Sequence, residues 1–386
     1  MFQVVGRRLG LNDKTGASIP SIGTCVAGEK NVAVTSRQVT LIGAASSAGT
    51  HHAGQDQAPT ALRAAGLPER LRAVGVTVED RGDLVHEVFV ADEMASTARN
   101  LASVVRVARA VADAVADALA HGALPVILGG DCTITLGVVA GAQRDDPATG
   151  LLYFDGDADL ANPATTGSGV LDAMGIAHLL GLADTELARL GVAVPMLTDE
   201  RLALIGYDET DPETFAAEVL RDRPALVRFA DHQVRADPAG CARSAVAALQ
   251  QHTSSLVVHF DVDAVDSRDL PLANFPHYGT GIPLAAAGEV LSVLCAAPTL
   301  AAHRPDRGQP QLRPQRPPAR PLRRHRRRCD RSRAHGPLTK PPPLHLDVPA
   351  VLPATRSNAS WGRVIPSRST CPRTTSRCWL PPASRS

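Results

Sequence analysis

Aromatic residues are scarce in this chain. Only 3% of its 386 residues are Phe, Trp or Tyr, although 44% are hydrophobic. A chain of this length can bury a large core, and here that core has to be built mainly from Ala, Val and Leu. Cysteine is sparse and unpatterned. The seven cysteines, at 25, 132, 241, 295, 329, 371 and 378, are odd in number and form no CxxC pair. This excludes a disulfide-stapled scaffold and a paired zinc motif, and it fits a reducing compartment. The opening MFQVVGRRLGLNDKTGASIP lacks the apolar stretch of about 7–15 residues found in a secretory signal. No apolar run approaches the ~20 residues of a membrane span. The expectation is a soluble, cytoplasmic chain with no membrane partner. Glutamate also disappears, since none follows Glu289.

The formal charge of +1 hides a division of the chain. Residues 303–386 hold 18 Arg and 1 Lys against 3 Asp, a net of +16, while the preceding 302 residues carry −15. The same tail holds 16 of the 30 prolines. The run Arg323-Arg324-His325-Arg326-Arg327-Arg328 cannot be a core element, because each buried charge would need a partner. The change of character falls inside an expected strand, Thr299-Leu300-Ala301. One reading is a basic, disordered arm that binds a polyanion such as nucleic acid. The other is out-of-frame translation of a GC-rich gene, which gives chains dominated by Arg, Pro, Ser and Ala. The composition favours the second, so nucleic acid is not the expected partner. Cys329, Cys371, Cys378 and His345 match no closed zinc spacing.

Residues 1–37 are polar and Gly-containing and read as an N-terminal extension. Gln38-Val39-Thr40-Leu41-Ile42-Gly43 is the first expected core strand. It opens into a loop over 44–54 with His51-His52, which read either as metal ligands or as solvated loop histidines. Pro59 suits the first turn of a short helix. Residues 76–90 read as a strand and loop. Leu101, Val104, Val105, Ala108, Val111, Ala112, Val115 and Leu119 have helical spacing, stopped by Gly122. Strands are expected at 125–128, 151–154, 202–205, 225–229 and 256–260, and helices at 172–182, 212–221 and 238–252. Strands alternating with helices predict a mainly parallel sheet covered on both faces. Ligands of such sheets bind beyond the carboxyl ends of the strands.

Three of these strands end in polar clusters. The run 151–154 leads into Asp155-Gly156-Asp157-Ala158-Asp159, and the run 256–260 into Asp261-Val262-Asp263. The run 125–128 leads into Gly129-Gly130-Asp131-Cys132-Thr133. Alternate residues of an extended segment share a face, so the carboxylates of each cluster converge. Carboxylates this close repel one another unless a cation lies among them, and hard divalent cations prefer carboxylate oxygen. Each residue also has a plainer role open to it. The aspartates can be solvated turns, and Cys132 a small buried hydrophobe. His259 shares a face with Asp261 and Asp263 and either supports a ligand or packs as a strand histidine. His178 reads as structural, and Asp172 as a proton carrier or a helix-start residue.

Together the three clusters resemble the signature motifs of the ureohydrolase family, which includes arginase, agmatinase, formiminoglutamase and guanidinobutyrase. Ala58-Pro59 with Leu62-Arg63, Asn162-Pro163 through Ser168-Gly169, and Gly279-Thr280-Gly281-Ile282-Pro283 support it. The resemblance spans a domain of about residues 38–302. It implies a three-layer α/β/α fold, two divalent metal ions (manganese) and hydrolysis of a linear C–N bond in a small guanidino, amidino or formimino compound. It implies Asp155 and Asp261 as bridging ligands, Cys132 and Asp159 on one metal, and Asp157 and Asp263 on the other. Asp172 and Asp157 take the catalytic positions and Ser168 a substrate-binding one. Trimers or hexamers are implied as well. The family pattern has histidine at 132 and 157, and a thiolate favours Zn or Fe over Mn. Ala161 and Val170 replace asparagines that grip an amino-acid substrate, so arginine is not the expected substrate. The glutamate that the family places near a downstream Asn-Pro pair has no counterpart here. A catalytically inactive relative is therefore the alternative.

Overall fold

The computed structural model describes residues 2–7 and 38–297. The Arg/Pro-rich tail, its candidate zinc ligands and the strand expected at Thr299-Leu300-Ala301 lie outside the described residues. The described strands are β1 (Phe2–Arg7), β2 (Gln38–Ser46), β3 (Thr77–Glu87), β4 (Leu124–Leu128), β5 (Thr149–Phe154), β6 (Leu202–Ile205), β7 (Val227–Phe229) and β8 (Ser255–Phe260). The described helices are α1 (Ala58–Ala64), α2 (Leu67–Ala73), α3 (Leu101–Ala120), α4 (Ile134–Asp145), α5 (Gly175–Leu179), α6 (Ala217–Arg221), α7 (Asp231–Ala236), α8 (Pro238–Leu249) and α9 (Leu284–Cys295). No described helix is long and apolar enough to cross a membrane.

The strands form one sheet in the order β3-β2-β4-β1-β8-β5-β6-β7. Every pairing is parallel except the two made by β1. Successive strand side chains serve opposite faces. Ile42, Ile127, Leu151, Tyr153 and Val257 join α3 and α4 in one core. Leu41, Leu128, Leu152, Phe154 and Val258 join α2, α8 and α9 in the other. The result is the expected three-layer α/β/α arrangement. Burying one such Leu or Val contributes about 1.5–3 kcal/mol, so many aliphatic contacts replace a few aromatic ones.

Small residues let the layers close without aromatics. On α4, Gly137 and Gly141 lie against Ala108 and Ala112 of α3. A Cβ on Gly137 would overlap the Ala108 carbonyl, and one on Gly141 would lie 2.5 Å from the Ala112 carbonyl oxygen. The two helices therefore meet backbone to backbone.

β1 departs from the sequence expectation. Residues 1–37 read as an extension, yet Phe2–Arg7 lies mid-sheet between β4 and β8. Gln3 is fully buried and Val4 is 3% exposed. A six-residue strand before a long polar segment carries too little periodicity to announce itself. Its antiparallel run sets Phe2 opposite Leu128 and Phe260, the last residues of their strands. The helices expected at 172–182 and 212–221 shrink to α5 and α6, and α7 precedes α8. Asp237 caps α8 by accepting from Gly240 N at 2.9 Å, with Pro238 in the first turn.

Candidate metal centre and active-site cavity

Three strand ends meet at one rim. Asp155 continues the ladder past β5, donating its backbone N–H to Ile205 O at 3.1 Å, and Asp261 N donates to Phe154 O at 2.9 Å. The loops after β5 and β8 are stitched together, because Gly156 N donates to Asp263 Oδ1 at 3.1 Å. After β4 the chain turns at Gly130, where a Cβ would lie 2.5 Å from Ser46 O and 2.7 Å from Ala44 O. Asp131 is spent on this turn, accepting from Ser46 Oγ at 3.0 Å and Gly49 N at 3.1 Å. Cys132, the next residue, faces the aspartates.

The side chains at this rim form two groups. In the first, one ligand atom each from Cys132, Asp155, His259 and Asp261 lies within 4.8 Å of all the others. Cys132 Sγ is 2.8 Å from Asp261 Oδ2, and His259 Nε2 is 3.0 Å from Asp155 Oδ2. The second group is Asp155, Asp157 and Asp263, within the same limit. Asp155 belongs to both and stands between them. A cavity of about 370 Å³ is lined by Cys132, Asp155, Asp157 and Asp263 of these groups, whereas His259 and Asp261 are not among its lining residues.

The other candidates divide. Asp159 lines the cavity but joins neither group. Its φ of +49° turns the backbone left-handed, and its carboxylate accepts from the Tyr153 hydroxyl. Asp172 lines the cavity and accepts from Cys132 N at 2.6 Å. Ser168 is not among the lining residues; it donates to Glu213, which is. His51 lines the cavity against Phe275, with ring centroids 4.6 Å apart, whereas His52 is exposed; neither joins a ligand group. His178 is buried in α5 and donates from Nδ1 to Met174 O at 2.7 Å.

A family model described as the Arginase family matches residues 37–302. The chain belongs to the arginase family. It is 29% identical to an arginase of Brevibacillus brevis over 248 residues, 63% of this chain and 81% of that one. It is 32% identical to an arginase of Eremothecium gossypii over 252 residues, covering 63% and 62% of the two chains. The crystal structure of the Bacillus cereus arginase superposes with a TM-score of 0.61 at 27% identity, covering 68% of this chain and 87% of that one.

Electrostatics set this arginase-family rim apart from an ordinary acidic surface. Burial, then repulsion from neighbouring carboxylates, pushes Asp159, Asp172 and Asp263 well above the usual carboxylate range. Burial and the Asp155 charge lift Asp157 to about 6, against the opposing pull of His277. Burial and the charges of Asp261 and Asp155 drive the Cys132 thiol up. Asp155 moves the other way: burial alone would raise it, but the hydrogen bond and charge of His259 hold it low. A wall of oxygen donors that resists full ionisation is one whose charge a divalent cation would relieve. The donor set therefore fits the metals that the family resemblance implies.

One residue was invisible in the sequence. His277 lines the cavity, with Nε2 3.5 Å from Asp157 Oδ1 and Nδ1 4.0 Å from Asp208 Oδ2. The Asp157 carboxylate raises its pKa. It belongs to an irregular loop, where neither periodicity nor motif marks it.

Proposed function

We propose that this chain is a metal-dependent hydrolase of linear C–N bonds in small guanidino, amidino or formimino compounds. One observation carries the reading: Asp155 is shared by two groups of ligand atoms under an acid-lined cavity. Cys132, Asp155, Asp157, Asp261 and Asp263 would hold two divalent cations, with Asp159 beside them. Such cations lower the pKa of water and neutralise charge that develops on the substrate.

The remaining roles fall to the chain itself. Asp208, Asp211 and Glu213 line the cavity and attract a cationic guanidinium or amidinium. Ser168 orients Glu213 through its hydroxyl, so its contribution to substrate binding is indirect. Asp172, pushed up by burial and by the Asp131 and Asp261 charges, can hold a proton and release it to a leaving amine. His277 is a second carrier, favoured in its protonated form by Asp157. Phe275 and Pro276 supply apolar wall. Val170 also lines the cavity and offers no amide to an amino-acid head group, which favours small guanidino or formimino substrates over arginine. Manganese, a cytoplasmic setting and a homo-oligomer, trimer or hexamer, complete the proposal, with residues 38–302 and β1 as the working domain.

A second reading, a non-catalytic relative, draws on the absence of glutamate after Glu289. Metal content after dialysis, beside an Asp155→Ala/Asp261→Ala control, followed by a screen of guanidino and formimino compounds for urea, ammonia or formamide release, decides between them. Two metals per wild-type chain, lost in the control, together with turnover support the hydrolase. Metal retention without turnover of any such compound favours the non-catalytic relative.

A further inference from the structure

We propose that His259 and Cys132 make the inner group a mixed thiolate–imidazole–carboxylate site for a borderline metal such as Zn2+, distinct from the all-carboxylate group beside it. The inference rests on the reading above that the rim aspartates hold cations. It adds which side chains bind on the inner side and which metal they select.

His259 is the first observation. It is 0% exposed on a strand whose neighbours Val257, Val258 and Phe260 are apolar, a costly place for imidazole without a task. Its ring is fixed on several sides. It stacks on Tyr153 with centroids 4.1 Å apart. Nδ1 lies 2.8 Å from Thr135 Oγ1 and 3.1 Å from Gln3 Nε2, and Gln3 Nε2 donates to Thr135 at 2.6 Å. This leaves Nε2 aimed at the rim, 3.0 Å from Asp155 Oδ2. The Thr135 hydroxyl both donates and accepts. It can donate to Nδ1 while Nε2–H donates to Asp155. It accepts from Nδ1–H once the Gln3 amide is turned end for end, because Gln3 Nε2 as placed donates to Thr135 and toward Nδ1; the hydroxyl then donates to the Gln3 oxygen, and the Nε2 lone pair is free for a metal. A hydroxyl behind Nδ1 is the kind of support that orients a metal-binding histidine.

Cys132 is the second. Its Sγ is 2.8 Å from Asp261 Oδ2 and 3.5 Å from Asp155 Oδ2, so sulfur, imidazole nitrogen and two carboxylates share one small volume. Sulfur and imidazole together suit Zn2+, Co2+ or Fe2+, whereas carboxylates alone suit Mn2+ or Mg2+. Binding would release the thiol proton, because the ligand is the thiolate. The outer group, Asp155, Asp157 and Asp263, contains only oxygen donors. The rim thus holds two adjoining sites of unlike chemistry.

The test uses the full-length chain, stripped with chelator and reloaded with Zn2+ and Mn2+ together. Metal analysis is expected to find one Zn retained against about a tenfold excess of Mn. Zinc-edge X-ray absorption is expected to contain one sulfur at about 2.3 Å and an imidazole nitrogen at about 2.0–2.1 Å. Reloading with Co2+ is expected to give a sulfur-to-cobalt charge-transfer band in the near ultraviolet. Cys132→Ser should remove that band, and His259→Gln should keep the sulfur shell while losing the imidazole scattering. Oxygen-only coordination in the wild type overturns the inference while leaving the hydrolase reading intact, and it does not depend on either variant folding. Imidazole scattering that survives in a folded His259→Gln overturns the assignment of His259. Failure to retain any metal overturns both readings.

Discussion

Replacing Asp157 by asparagine should make the metal-free protein more stable and the metal-loaded protein less so. The Asp157 side chain is only 14% exposed, and its pKa is lifted from 3.8 to about 6, chiefly by burial and then by the Asp155 charge. Each pKa unit corresponds to about 1.4 kcal/mol, so ionising this group in the fold costs about 3 kcal/mol. The direction of the shift sets the sign. Below pH 3.8 the group is protonated in both states and the penalty is absent. It grows between pH 3.8 and about 6 and is complete above that. Asn carries no charge to bury, although His277 loses an ionic neighbour, so a net gain of about 2–3 kcal/mol is expected at pH 7.5. For a domain of this size that is a rise of roughly 4–12 °C in Tm. Thermal scans of wild type and Asp157→Asn in chelator at pH 4, 6 and 7.5 read it out. The gap should open with pH. Divalent cation at a thousand times its Kd should then reverse the order, since it adds about 4.1 kcal/mol to a chain that binds it. A variant less stable than wild type at pH 7.5 in chelator, or a gap independent of pH, refutes the reasoning.

Three further outcomes are expected. Gly137→Ala drives a methyl into the Ala108 backbone at an overpacking cost of about 2–3 kcal/mol, of which alanine returns ~1 kcal/mol in helix propensity, so a net loss of about 1–2 kcal/mol is expected; an unchanged midpoint in urea would mean that α3 and α4 can part freely. Asp266 is held at a pKa of about 2, first by its hydrogen bond from Arg268. Its stabilising contribution is therefore present above its unfolded pKa near 3.8 and is lost as pH falls through 2, and carboxyl NMR of Arg268→Ala should find its midpoint moved up toward 3.8. Glu213→Gln should raise KM for a cationic substrate about tenfold with little change in kcat, whereas an equal fall in kcat would place Glu213 in the chemical step.

Local pattern made much of the fold legible. The 3.6-residue period from Leu101 to Leu119 marks α3, and the apolar runs before Asp155 and Asp261 mark β5 and β8. The same runs point at the rim, because a parallel sheet delivers the loops after its strands to one edge. Legibility fails where geometry departs from the period. Alternation puts Asp159 with Asp155 and Asp157, and all three line the cavity, but the left-handed backbone at Asp159 and its hydrogen bond from Tyr153 are not readable from the period. His277 arrives from a loop whose path is set by tertiary contacts. Alternation puts His259 on the correct face, yet its neighbours Gln3 and Thr135 come from a strand and a helix that no local signal joins. Cys132 is 6% exposed and sits in the apolar core as well as 2.8 Å from Asp261, so both readings of it describe part of its surroundings.

The antiparallel course of β1 has a practical consequence for anyone handling the protein. Phe2 is level with the ends of β4 and β8, and the strand runs from the cavity rim toward the opposite edge of the sheet. Whatever is joined to the amino side of Phe2 starts from the rim, one residue from the Gln3 side chain that braces His259. A purification tag fused there is attached at the sheet edge that carries the aspartates, so metal affinities and kinetics are best measured with the tag placed elsewhere.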